Sequence, residues 1–236
     1  MTGILAIETG TDACSLALYR NGDYVERFEV APRQHNQRLF AMLGELLPEG
    51  DLKEIGIDAI AYGCGPGSFT GLRIAASAAQ GLAFASRLPA VAVCTLACQA
   101  QTALRRGCLK EGAEVLSLLD ARIGEVYYGL YAIQEGCVIV RQAPRAGAPA
   151  DVGLGDIEGE LYAVGSGCQF VDQFPRSLRS RICRTERDLM PQARDLIPLA
   201  LEKFAAGDVQ SPHEIRPVYV RDEISWKKIP EQGKRL

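Results

Sequence analysis

The stretch Y-G-C-G-P-G-S-F-T-G-L-R, residues 62–73, joins two segments of different character. Residues 57–62 form an apolar run typical of a buried strand, and residues 74–86 form an alanine-rich run that predicts a helix. The glycines of the stretch allow backbone amides to approach a neighbour closely, and the amino end of a helix favours an anion. Two interpretations follow: a nucleotide or phosphate loop, or a tight strand-to-helix crossover that needs glycine only for packing.

The composition is that of a globular protein with room for one large domain or two small ones. Of 236 residues, 47% are hydrophobic and 23% are charged, and the formal net charge is −3, so no overall basic field favours nucleic acid. The eight cysteines form no C-x-x-C pair, and scattered buried thiols are typical of a reducing compartment. The sequence predicts neither a signal peptide nor a membrane span, because the first residues lack a basic segment and no run of about 18 apolar residues occurs. These features predict a cytoplasmic protein.

The segments before residue 62 predict three strands and a helix. The runs 4–7, 14–19 and 24–30, with an Asn-Gly turn before the third, predict a β-meander. Residues 32–47 predict a helix with Pro32 near its first turn and Pro48 just past its end. One stripe of this helix is apolar: Leu39, Met42, Leu43, Leu46 and Leu47.

The alanine-rich helix over residues 74–86 carries almost no side-chain bulk. Such a surface lets another backbone come close, so the helix either packs tightly inside its own domain or forms a contact between subunits. A strand over 90–93 and a helix over 95–106 follow.

The second half repeats the order of the first. An apolar strand over 115–119 ends at Asp120, as the first strand ends at Glu8, and a tyrosine follows each acid eleven residues later. The run D-A-I-A-Y-G-C-G at 58–65 also matches E-L-Y-A-V-G-S-G at 160–167. Chance matching of short apolar runs is the alternative explanation, but two matches in the same order favour an internal duplication.

The remaining segments are less regular. Residues 144–159 are rich in proline, glycine and alanine and predict a surface excursion. Residues 191–206 predict a helix that Pro198 kinks or loosens. The tail after Pro217 holds the single tryptophan, Trp226, and a few basic residues, which we expect to be solvated.

Duplicated halves of this kind, each with an acid after its first strand, resemble the actin-like and sugar-kinase ATPase superfamily. The resemblance implies an α/β fold of two βββαβα lobes, the first over residues 1–108 and a reduced second one over 109–236. More narrowly, the chain resembles the TsaB (YeaZ) family, although many relatives have Asp in place of Glu8. Four motifs carry this resemblance: I-L-A-I-E-T-G-T at 4–11, G-P-G-S-F-T-G-L-R at 65–73, D-A-R-I-G-E-V-Y at 120–127 and P-V-Y-V-R at 217–221.

The family resemblance implies a non-catalytic accessory subunit of the bacterial machinery that installs N6-threonylcarbamoyladenosine beside the anticodon of tRNA. It implies a heterodimer with the paralogue TsaD, which carries the transfer chemistry, and a second partner, the ATPase TsaE. It also implies a homodimer when the chain is alone, and contact with tRNA only through the complex. Helices of two subunits would form a four-helix bundle. The expected interface residues are His35, Arg38, Leu39, Met42, Leu43, Thr70, Arg73, Ala75, Ala78, Ala79 and Leu82.

In the superfamily, the two acids face each other across a nucleotide cleft. The resemblance therefore implies candidate residues for weak or shared binding of ATP or ADP with Mg²⁺ at a subunit interface. These residues are Glu8, Thr9, Gly10, Thr11, Gly65 and Asp120. A sugar-kinase-type ATPase, or a peptidase that acts on the paralogue, is the alternative function. A peptidase would need a metal pair or an activated nucleophile, and Ser68 lies outside a G-x-S-x-G motif.

No metal site is predicted. The histidine pair that the resemblance attributes to TsaD falls on Thr95 and Gln99, and neither residue ligates a metal at neutral pH. The spacing of Cys94 and Cys98 suits a soft metal, but two thiolates alone make an incomplete site, so buried small residues are the favoured interpretation. The two histidines of the chain, His35 and His213, favour helix-end or surface roles.

Overall fold

The computed structural model describes residues 2–47 and 52–220. Its first half contains a five-stranded mixed sheet in the order β3-β2-β1-β4-β5. The meander strands β1 to β3 are antiparallel, and β4 and β5 continue parallel to β1. The strands are β1 (Ile4–Glu8), β2 (Ala13–Arg20), β3 (Asp23–Val30), β4 (Ala59–Gly65) and β5 (Ala90–Cys94).

The second half contains a second five-stranded sheet with the same connectivity. Its order is β10-β9-β6-β7-β8, so an antiparallel meander is again extended by two parallel strands. This repetition confirms the predicted duplication and the α/β actin-like fold class. The strands are β6 (Glu114–Arg122), β7 (Glu125–Gln134), β8 (Cys137–Gly147), β9 (Leu161–Val164) and β10 (Ile182–Glu186).

The helices differ between the two halves. The first half carries α1 (His35–Leu46) and α2 (Phe69–Ser86), and α3 (Thr95–Arg105) leads to the second sheet. In the second half, a 3-10 turn takes the position of α1, and a longer 3-10 segment with the single-turn helix α4 (Arg176–Arg179) takes that of α2. The second lobe is therefore reduced, as predicted.

The boundaries of α1 and α2 correct two sequence predictions. Helix α1 begins at His35, not near Pro32, because Arg33 adopts a left-handed conformation with φ of 65°. Helix α2 begins at Phe69, five residues before the predicted start, because the Ser68 hydroxyl accepts a hydrogen bond from the amide of Gly71 and caps the helix. The predicted helix end at Pro48 lies outside the described residues.

The first sheet is covered on both faces. Alternate residues of β1, such as Leu5 and Ile7, pack against α1 and α2, whereas Ile4 and Ala6 pack against the C-terminal helix α5 (Leu196–Ala205). Helix α5, which follows the second sheet in the sequence, therefore packs on the first sheet. The domain bounds at residues 108 and 109 stay a prediction.

The expected kink at Pro198 was wrong. A short 3-10 turn at Ala193–Asp195 precedes α5, so Pro198 falls in the first turn of the helix. Amides in a first turn have no partner within the helix, and the missing N–H of proline therefore costs nothing there. The tryptophan-containing basic tail from Arg221 lies outside the described residues.

Candidate functional site

An open apolar groove of about 560 Å³ runs between α1 and α2 on the outer face of the first lobe. Its depth comes from Gly44 and Gly81, since a Cβ built on either residue meets no atom within 4 Å. Phe40 stands on its α1 side with 68% of its surface exposed. The groove is lined by Asn36, Leu39, Phe40, Leu43, Gly44, Leu47, Ile74, Ser77, Ala78, Gly81 and Leu82.

Small residues occur on two faces of α2 and have a different structural role on each face. Ala75, Ala79 and Ala83 are fully buried and bring the helix close to its own sheet. Ala78 and Gly81 lie in the groove and leave space beside α1. Tight internal packing, one of the two predicted alternatives for this helix, therefore applies to the buried face, whereas a contact between subunits on the groove face stays a prediction.

The structure sorts the eleven predicted interface residues into groups. Four line the groove: Leu39, Leu43, Ala78 and Leu82. Three lie in the core of the first lobe: Met42, Ala75 and Ala79. Two line a neighbouring polar cavity, His35 and Thr70, and two lie at helix surfaces, Arg38 and Arg73.

His35 and Arg38 have partners within the first lobe. His35 is buried, and its Nε2 donates to the carbonyl oxygen of Thr11 at 2.9 Å. Arg38 forms a 2.6 Å ion pair with Glu29 of β3. Both residues therefore hold α1 against the meander.

An exposed aromatic cluster at the amino end of α2 was missed by the sequence analysis. The Arg73 guanidinium lies 3.8 Å from the centre of the Phe69 ring, and its Nε donates to the hydroxyl of Tyr219 at 3.1 Å. The two aromatic rings lie 5.5 Å apart. Tyr219 belongs to the P-V-Y-V-R motif, which was the available signal, but no sequence pattern placed that motif beside α2.

The glycine-rich loop packs its backbone directly on the β1–β2 turn. The Ser68 amide donates to the carbonyl oxygen of Gly10 at 2.7 Å, and the Thr9 hydroxyl donates to that of Gly71 at 2.8 Å. A Cβ at Gly71 would lie 1.9 Å from the Thr9 oxygen, and one at Gly67 would lie 2.3 Å from that of Gly10. These glycines are needed for close packing, which is the second interpretation of the stretch.

Glu8 lies beneath this loop with 1% of its surface exposed. Its carboxylate accepts hydrogen bonds from the amide of Gly10 at 2.6 Å and from the hydroxyl of Thr95 at 3.2 Å. A Cβ at Gly63 would lie 2.0 Å from the carboxylate, so a glycine is required beside it. Burial raises the pKa of Glu8 to about 7, against the opposing effect of its hydrogen bonds.

The cleft between the lobes is a separate, polar cavity of about 260 Å³. It brings Thr11 and Asp120 together, with Asp12, Arg122 and Arg187 around them. Asp120 accepts hydrogen bonds from the amide of Arg122 at 2.8 Å and from the side chain of Gln169 at 3.1 Å.

The other four candidate nucleotide residues do not line this cavity. Glu8, Thr9 and Gly10 are buried, and a Cβ at Gly65 would lie 2.6 Å from the carbonyl oxygen of Val218. The six residues therefore do not form one magnesium–nucleotide site in this geometry.

Two buried polar residues of α3, Thr95 and Gln99, connect the lobes. Thr95 bonds to Glu8 of the first sheet, whereas Gln99 accepts from the hydroxyl of Ser117 in the second sheet at 3.1 Å and donates to the carbonyl oxygen of Leu189 at 2.9 Å. Both are fully buried. Across residues 2–47 and 52–220, no group of three or more His, Cys, Asp or Glu side chains could hold a metal ion.

His213 lies near an aromatic ring at the far end of α2. Its imidazole is 6.0 Å from the centre of the Phe84 ring. Within the described part of the chain, no helix has the length and apolar character needed to cross a membrane.

Comparison with known proteins identifies the family. A family model described as TsaD, tRNA N6-adenosine threonylcarbamoyltransferase, matches residues 28–154, just over half of the chain. The tRNA threonylcarbamoyladenosine biosynthesis protein TsaB of Escherichia coli is 38% identical, over 96% of this chain and 98% of that protein. The TsaB protein of Haemophilus influenzae is 31% identical, over 96% of this chain and 97% of that protein.

A solved structure agrees with this assignment. YeaZ from Pseudomonas aeruginosa superposes with a TM-score of 0.83 at 37% identity, over 93% of this chain and all of that one. The chain therefore belongs to the TsaB (YeaZ) family, whose Escherichia coli and Haemophilus influenzae members are named for the biosynthesis of threonylcarbamoyladenosine in tRNA.

Proposed function

We propose that the chain is a non-catalytic subunit required for threonylcarbamoyl transfer to the adenosine beside the anticodon of tRNA, and that it binds the catalytic paralogue TsaD and the ATPase TsaE. Family membership supports a role in this biosynthesis. The single observation that carries the scaffold proposal is the open apolar groove between α1 and α2. We also propose a cytoplasmic location, a homodimer when the chain is alone, and contact with tRNA only through the complex.

The shape and chemistry of the groove suit a helix pair from another subunit. Glycine and alanine along α2 let a partner backbone come within close packing distance, and the leucines of α1 supply apolar area to bury. An apolar surface rimmed by polar residues is characteristic of protein–protein contacts. Phe40, which is exposed on the α1 side, is an aromatic anchor of the kind that dominates interface energies.

The charged residues of the chain give less support to a catalytic role. The carboxylate of Glu8 is buried and faces two hydrogen-bond donors of its own lobe. Asp120 accepts from a backbone amide and a glutamine. Binding of ATP or ADP with Mg²⁺ through all six candidate residues does not fit this geometry.

Reconstitution with purified components tests the proposal. Modified adenosine should form from TsaD, TsaE, tRNA and threonylcarbamoyl-adenylate only when this chain is present. Ala78→Arg, which places a charged side chain in the groove, should strongly reduce both the modification and the binding of TsaD. The matched control is Ala41→Arg, at an exposed position of α1 outside the groove, and it should retain both.

Two results would contradict the proposal. One is modification of tRNA at an undiminished rate by the Ala78→Arg protein, which would move the partner surface elsewhere. The other is ATP hydrolysis above background by the chain alone, lost in Glu8→Gln, which would favour the sugar-kinase-type ATPase.

A further inference from the structure

The last described residues bring the chain to the amino end of α2. The amide of Val218 donates to the carbonyl oxygen of Cys64 at 2.7 Å, and Tyr219 packs on Phe69 and accepts a hydrogen bond from Arg73. Arg73 is followed directly by Ile74, which lines the groove. The exit of the tail and the near end of the groove therefore lie on two sides of the same turn of α2.

The tail is long enough to cross this turn and to follow the groove. Residues 221–223, R-D-E, span about 10 Å when extended, which is about the diameter of a helix. The groove extends along α2 from Ile74 to Leu82, a rise of about 12 Å for eight residues. Residues 224–229 span about 20 Å when extended, which covers that length.

The sequence of the tail matches the chemistry of the groove. After three polar residues come Ile224, Trp226 and Ile229, with Lys227 and Lys228 between them. Tryptophan is the side chain that gains most from an apolar interface pocket, and lysines can keep their ammonium groups in water beside it. In the described part of the chain, nothing else fills the space that Gly44 and Gly81 leave open.

We propose that residues 221–229 dock in the α1–α2 groove of their own chain, with Trp226 inserted between the helices, and that this tail competes with partner helices for the groove. A covalent tether of this length gives an effective concentration in the millimolar range, so the tail of the same chain outcompetes the tail of a second copy at ordinary protein concentrations. The docking stands on its own, whereas the competition rests on the proposed function.

Because Trp226 is the single tryptophan, its fluorescence reports the docking directly. In the purified full-length chain, at a concentration at which light scattering shows a monomer, the emission of Trp226 should be blue-shifted and protected from acrylamide, relative to the same chain in denaturant. A Cβ at Gly81 meets no atom within 4 Å, so Gly81→Arg directs its side chain into the groove and should abolish both the shift and the protection. Ala41→Arg, with the same added charge outside the groove, should leave both unchanged, and circular dichroism checks that each variant is folded.

Three results would overturn the docking. The emission of the wild-type chain could equal that of the unfolded chain, or it could stay blue-shifted in folded Gly81→Arg. A blue shift that disappears on dilution, together with a dimer in light scattering, would place the tail on a second copy and contradict docking within one chain.

The competition has a separate readout. A chain that ends at Val220 should bind TsaD more tightly than the full-length chain, because no tail competes for the groove. The ratio of the two affinities then measures how much of the time the tail occupies the groove. Equal affinities would overturn the competition. If TsaD binds neither form while Trp226 responds to Gly81→Arg, the proposed function fails and the docking stands.

Discussion

The groove between α1 and α2 and the cleft between the lobes are both open. They differ in whether the side chains that line them already have partners within the chain. The groove is apolar, and its two glycines leave space that no described side chain occupies. In the cleft, by contrast, Asp120 already accepts from Arg122 and Gln169, and Arg187 donates to Gln169. Charged residues that satisfy one another are weak evidence for a ligand, whereas exposed apolar surface stays unfavourable until something covers it.

The largest effect is expected from two glycines of the same helix, one under the loop and one in the groove. Gly71→Ala puts a Cβ 1.9 Å from a backbone oxygen, so it should lower the free energy of unfolding by roughly 3 kcal/mol, at the upper end for overpacking. Gly81→Ala meets open space and should raise the free energy of unfolding by up to about 1 kcal/mol through helix propensity. Urea denaturation measures both. Equal effects of the two substitutions would mean that the loop does not pack on the turn.

The next effect concerns the pH dependence of stability, and it distinguishes a buried Glu8 from one that faces the cleft. The pKa of Glu8 is raised to about 7 in the folded chain from 4.5 in a free glutamate, so the folded state holds a proton that the unfolded state releases. Stability should therefore fall as the pH rises through this window, by about 2 to 3 kcal/mol between pH 5 and pH 8. Denaturation midpoints at several pH values should show the slope.

Glu8→Gln supplies the control for this slope. A neutral amide of the same shape can accept from the amide of Gly10 and donate to Thr95, so the variant should fold and lose the Glu8 contribution to the pH dependence. A slope that is identical in the variant would assign the pH dependence to other groups.

The third prediction measures the groove in a binding experiment. Ala78→Arg should weaken the affinity for TsaD by at least about 2 kcal/mol, roughly 30-fold, as for a central interface residue. Ala78 is a better choice than Leu43, which is 8% exposed, because Leu43→Glu would bury a charge in the lobe's own core. Calorimetry of the two folded proteins gives the value, with Ala41→Arg as the reference. A dimer of Ala78→Arg in light scattering would show that the homodimer uses another surface.

The smallest effect is expected in the cleft. Asp120→Asn keeps an acceptor for the amide of Arg122, so stability should change by less than about 1 kcal/mol and the affinity for TsaD should not change. Titration of the chain with ATP and Mg²⁺ completes the comparison. Nucleotide binding that Asp120→Asn abolishes would give the cleft a ligand and reverse the contrast with the groove.

Much of the fold could be predicted from local pattern. The strand runs of the meander, the apolar stripe of α1 and the repeated acid after the first strand of each half are local signals, and they predicted the duplicated α/β architecture. The predicted start of α2 was five residues late, because Ser68 and the residues after it were interpreted as part of a glycine-rich loop. In the structure, Ser68 caps the helix. The kink at Pro198 was wrong because the position of a proline within a helix depends on where that helix begins.

The candidate sites were only partly predictable. Periodicity placed Leu39 and Leu43 on one apolar stripe of α1, the family resemblance added Ala78 and Leu82 of α2, and the structure shows that all four line one groove. Tyr219 contacts Phe69 and Arg73, although it lies 150 residues after Phe69 in the sequence. No local sequence pattern predicts a contact between such distant residues. The candidate nucleotide residues were grouped by the family resemblance. In the structure, Glu8 is buried whereas Asp120 lines the cleft, so the two carboxylates do not share one site.

The glycine-rich stretch at residues 62–73 shows which features the local sequence predicts and which ones depend on tertiary packing. The sequence by itself determined that a strand, a glycine-rich connection and a helix follow one another there, because a continuous apolar run, glycines and alanines each favour a local backbone structure. Only the tertiary structure decided what the glycines are for, because the atoms they make room for belong to Glu8, Thr9 and Gly10, more than fifty residues away. A close approach between distant segments is a property of the packed chain, and local preferences cannot encode it.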